Sequence, residues 1–135
     1  MIRQNSLLLA SALVLALVAG CNGANHSDTA SHAAVTATTD NFDAMIADGV
    51  TLVDFWATWC PPCVKQGPIV EDIAVAYKGR ATVAKLDVDA HRAVAERFKI
   101  TSIPTLIIFK DGKEVARLVA LQSEKELKAA LDKQL

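Results

Sequence analysis

Neither sign of charge is in excess. The 135-residue chain carries 14 Lys and Arg against 15 Asp and Glu, a formal net charge of −1. No basic stripe runs along it, so nucleic acid is not an expected partner. Cysteine is scarce, with only Cys21, Cys60 and Cys63; three thiols fall short of a four-thiolate metal site. The chain also lacks an apolar run of roughly 20 residues, the length that a membrane-spanning helix requires. Its length allows one domain and little else.

What is present begins with a leader. Arg3 supplies a positive start, and residues 7–19 form an apolar run interrupted only by Ser11. That is the length of an export signal's hydrophobic region. The run ends Val18-Ala19-Gly20-Cys21, and small residues before a cysteine resemble the bacterial lipobox, where the thiol is acylated and becomes the new N-terminus. Ordinary cleavage and an uncleaved anchor are the alternatives. Each buried CH₂ of an acyl chain contributes about 0.8 kcal/mol, so stable anchoring takes more than one chain. Residues 21–34 are small and polar and lack the apolar mass for a core, so they read as a lipid-anchored flexible tether. His26 and His32 lie inside it without a nearby ligand and read as solvated. Removing Arg3 with the leader takes the formal charge to about −2, with an odd cysteine accounted for by position.

Residues 35–135 alternate between short apolar runs and amphipathic segments. Residues 34–37 read as a weak edge strand, and Thr39 or Asp40 as the cap of a helix through Ala47. Residues 51–57 are a buried strand with one acid, Asp54. A helix follows Cys60 and runs towards Tyr77, with Pro68 bending it. Residues 81–86 are a strand, and Asp89 caps a helix through Phe98. Residues 105–110 and 115–121 are strands joined by the Asp111-Gly112 turn. Ser123 and Glu126 have capping-box spacing ahead of a last helix. This order predicts an α/β fold with a central mixed sheet flanked by helices on both faces. A CxxC pair alone is ambiguous, since it is also half of a zinc site.

The whole constellation resembles the thioredoxin family. The residues that carry the resemblance are Val53-Asp54-Phe55-Trp56-Ala57, Trp59-Cys60-Pro61-Pro62-Cys63, Pro68, Val83 to Asp89, Ile103-Pro104-Thr105 and Phe109 to Gly112. It covers nearly all of the chain after the tether. It implies that Cys60 and Cys63 form the redox disulfide, with Cys60 attacking a substrate disulfide and Cys63 resolving the mixed disulfide. Cys60 starts a helix, where free N–H groups and the helix dipole favour a thiolate. The resemblance makes Asp54 the proton acceptor for Cys63, with Lys85 beside it; a solvent-facing aspartate is the alternative. It implies a cis bond before Pro104, and substrate contact at Trp59, Pro61, Pro62, Ile103 and Pro104. Trp56 and the phenylalanines read as packing. No cofactor or metal is expected.

The chain departs from the family in three places: Pro61-Pro62 replaces Gly-Pro, Val64 replaces a lysine, and Ala120 replaces a glycine. The expected function is protein-disulfide reduction by a monomer on the extracytoplasmic face of a bacterial membrane. Its partners would be protein disulfides and a membrane thiol donor. An envelope oxidase, a cytochrome c maturation reductase and a non-catalytic binding module are the rivals. The cytochrome c proteins usually carry an insert, for which residues 77–81 leave no space.

Overall fold

Apolar residues alternate in register along the central strands, and that alternation builds two cores. The structure is a computed structural model and describes residues 33–135. The leader, Cys21, His26 and His32 lie outside the described residues. The elements run β1 (Val35–Thr36), α1 (Phe42–Ile46), β2 (Val50–Trp56), α2 (Pro61–Ala76), β3 (Thr82–Asp87), α3 (Arg92–Arg97), β4 (Thr105–Lys110), β5 (Lys113–Val119) and α4 (Glu124–Asp132).

The sheet order is β1-β3-β2-β4-β5. β2 and β1 pair parallel with β3, whereas β4 runs antiparallel to both β2 and β5. The expected mixed sheet is therefore observed. Side chains of successive strand residues point to opposite faces. Leu52, Val83, Leu106 and Ile108 pack with Val70, Ile73 and Tyr77 at α2 and with Leu127 and Leu131 on α4. Val53, Phe55, Ala84, Ile107 and Phe109 pack with Phe42 and Ile46 of α1 and Val94 of α3. Helices thus cover both faces. Asp54 shares the pleat of Leu52 and Trp56, so it faces α2.

The differences from the sequence reading are at element ends, where local side-chain bonds compete with helix geometry. Asn41, not Thr39 or Asp40, precedes α1; its side chain accepts from the Thr38 amide, and Thr38 Oγ1 accepts from the Asn41 amide. Asp89 does not cap α3. Asp87 Oδ1 accepts from the amides of Asp89 and Ala90 instead, and α3 begins after His91. β5 pairs from Lys113 and ends at Val119, because Ala120 turns out of the strand at φ 70°. The capping box is present: Ser123 Oγ accepts from the Glu126 amide, and Glu126 accepts from the Ser123 amide. α2 continues through Pro68, which lacks the N–H that would bond one turn back. Residues 77–81 join α2 to β3 without a further element.

Candidate active site

The site forms where β2 ends and α2 begins. Cys60 is extended at φ −97° and ψ 105°, then Pro61 and Pro62 open the helix. First-turn amides have no intrahelical partner, so prolines forfeit nothing there. The Cys63 amide is the donor left to the sulfur, and it reaches Cys60 Sγ at 3.3 Å. Cys60 and Cys63 are disulfide-bonded, with Cα atoms 5.2 Å apart. The Ile103 carbonyl oxygen lies 3.7 Å from Cys60 Sγ. Neither of these contacts brings a charge to the sulfur.

Both cysteines are buried in the disulfide form. Cys60 is 3% exposed and Cys63 1%; they form a buried cluster with Ala57, against which Trp56, Val88 and Ile103 pack. In this form the two differ in their place at the helix terminus and hardly in burial.

Around the disulfide the remaining residues divide into platform and interior. The Ile103-Pro104 bond is cis, as the resemblance implied. Pro104 is buried and Ile103 half-buried beside the disulfide, and the Ala120 amide donates to the Pro104 carbonyl at 2.9 Å. Pro61, Pro62 and Val64 are exposed. Trp59 is 66% exposed, and its indole N–H donates to Asp89 Oδ2 at 2.7 Å. That bond occupies the carboxylate the sequence suggested as a helix cap.

Asp54 lies in the interior. It is fully buried, and neither carboxylate oxygen has a hydrogen-bond partner among the described residues. The solvent-facing alternative is therefore wrong. Burial in an apolar strand disfavours the charged form and pushes its pKa up to about 7, against a smaller opposing pull from Lys85. Lys85 is the Cα partner of Asp54 across β2 and β3, and its Nζ sits 4.7 Å from the centroid of the half-buried Trp56 ring. A groove of about 290 Å³, lined by Trp56, Cys63, Val64, Gly67, Pro68, Glu71 and Lys85, opens beside Cys63.

No group of three or more metal-ligating side chains occurs among the described residues. His91 Nδ1 accepts the Thr39 amide at 3.2 Å. The sequence reading passed over Gln66, which is fully buried on α2 and bonded to the backbone of Gln122. Its spacing of three from Cys63 places it on the same helix face, which was the available signal.

Comparison with known proteins agrees with this geometry. The thioredoxin family model matches residues 33–133. A thioredoxin of Staphylococcus haemolyticus is 50% identical over 103 residues, covering 76% of this chain and 99% of that protein. A thioredoxin of Staphylococcus aureus is 47% identical over 103 residues, with the same shares covered. The chain belongs to the thioredoxin family and is a thiol–disulfide oxidoreductase with Cys60 and Cys63 as its redox pair.

Proposed function

We propose that this chain is a protein-disulfide reductase, held by a lipid on Cys21 to the extracytoplasmic face of a bacterial membrane. The observation that carries the direction is the setting of Cys60 Sγ. One backbone amide supports it, and Pro61-Pro62 bring neither charge nor N–H. A strong oxidant is made by over-stabilising the attacking thiolate, and nothing in this setting does so. Anchoring rests on the sequence before Cys21. It fits with the family model's start at residue 33, which leaves the leader outside the domain.

In the reduced enzyme, the Cys60 thiolate attacks one sulfur of a substrate disulfide. That bond breaks, a mixed disulfide forms, and the displaced substrate sulfur leaves as a thiolate. Asp54, its proton affinity raised by burial, accepts the Cys63 proton. Cys63 then attacks Cys60 Sγ, the second substrate thiolate departs, and two electrons have passed to the substrate. The enzyme ends with the Cys60–Cys63 disulfide described above. A membrane dithiol donor returns it to the reduced state.

The test is capture with Cys63→Ala in the full-length chain. Without the resolving thiol, Cys60 should hold envelope proteins through bonds that dithiothreitol releases. Mass spectrometry of the same extract should find an acylated Cys21 at the N-terminus. Absence of any reducible adduct would defeat the reductase reading, and a free Cys21 thiol would defeat the anchor.

A further inference from the structure

We propose that Gln66 is a positioning residue, fastening the substrate platform to the helix that carries both catalytic cysteines. This rests on the reductase reading above. Gln66 lies three residues after Cys63 on α2 and is fully buried. A buried amide is costly unless its donor and acceptor are both used. Here both go to one residue of the corner between β5 and α4. Gln66 Oε1 accepts from the Gln122 amide at 2.7 Å, and Gln66 Nε2 donates to the Gln122 carbonyl at 3.2 Å.

The corner it holds leads directly to the platform. The Gln122 side chain turns back to donate to the carbonyls of Val119 and Ala120, at 3.0 and 3.1 Å. Ala120 donates its own amide to the Pro104 carbonyl at 2.9 Å. Ala120 also has a φ of 70°, a conformation that a non-glycine residue adopts only when its surroundings impose it. One buried side chain thereby connects α2, through two backbone segments, to the residue following Ile103. An extended substrate segment paired with Ile103 would thus meet a ledge fixed relative to Cys60.

The role predicts a split that mere stability loss would not give. Gln66→Leu and Gln66→Met keep the bulk and remove the paired hydrogen bonds. Enzyme reduced with dithiothreitol is assayed on insulin, which must dock, and on 5,5′-dithiobis(2-nitrobenzoate), a small disulfide that needs no platform. KM for insulin should rise about three- to tenfold, as expected for loss of one or two hydrogen bonds. The rate with the small disulfide should stay within about twofold of wild type. Ile73→Val, a core truncation on the same helix, should lower thermal stability and leave KM unchanged.

Hydrogen exchange at the Ala120 and Gln122 amides should accelerate in the Gln66 variants and not in Ile73→Val. An unchanged KM for insulin, or equal losses on both disulfides, would overturn the proposal. Unchanged exchange at both amides would do the same. If wild-type protein fails to reduce insulin, the reductase reading falls with it. The exchange result separately reports whether the tie itself exists.

Discussion

The two faces of the sheet treat buried polarity differently. Towards α1 and α3, Phe42, Phe55, Phe98 and Phe109 form a cluster with ring centroids 5.1–6.3 Å apart. The buried hydroxyls of Thr51 and Thr105 on that side donate to the carbonyls of Met45 and Ser102. Towards α2, Gln66 is paired but Asp54 is not. Among the described residues, the buried side chains left with unpaired polar atoms reduce to Asp54 alone. A buried carboxylate without donors is costly to the fold, and in the mechanism proposed above it is the proton acceptor for the resolving thiol. One face is built for stability, and the other gives up stability where the chemistry is.

The strongest way to break the comparison is at the sulfur. Cys60→Ser should abolish formation of mixed disulfides with insulin, seen on non-reducing gels, while the fold is retained. Next in size, Phe42→Ala on the opposite face should cost about 3–5 kcal/mol in denaturant unfolding, as large aromatic truncations do. Its pH–rate profile should remain that of the wild type.

Asp54→Asn should act the other way. The folded pKa of Asp54 is raised from 3.8 to about 7, so the folded state binds more protons than the unfolded state between those values. Stability contributed by the neutral carboxyl is present below the unfolded pKa and lost as pH rises through the folded one. Relative to wild type, the variant should gain up to about 4 kcal/mol between pH 4 and pH 8, at roughly 1.4 kcal/mol per unit. Urea melts at the two pH values measure this. The resolving step should slow by about 10²-fold, the low end of a general base's contribution, and lose its rise near pH 7. Stopped-flow fluorescence follows it.

The smallest effect sharpens the picture at the platform. Ala120→Gly relieves the left-handed φ of 70° and should raise stability by up to about 1 kcal/mol, an effect that thermal unfolding resolves.

Much of this was legible in the sequence because the informative features were local. Asp54 stood out as one acid within an apolar strand, and Ser123 and Glu126 gave a cap by spacing alone. Residues 105–110 were bounded by a proline and an Asp-Gly turn, and the strand fell where those signals placed it. What escaped depends on partners distant in the chain. Asp89 reads as a cap until Trp59, 30 residues earlier, claims its carboxylate. The pairing of Gln66 with Gln122 spans 56 residues, which no local pattern reveals. The cluster that holds Cys60 is closed in part by Val88 and Ile103, which the fold brings against it from later in the chain.

The central claim is that the chain donates electrons to disulfides rather than withdrawing them from thiols, and its equilibrium with glutathione buffers tests that most directly. Sparse support at Cys60 Sγ predicts a potential nearer the general thioredoxin value of about −270 mV than the strong-oxidant value of about −120 mV. A potential above about −170 mV would contradict the account and make an envelope oxidase the better reading.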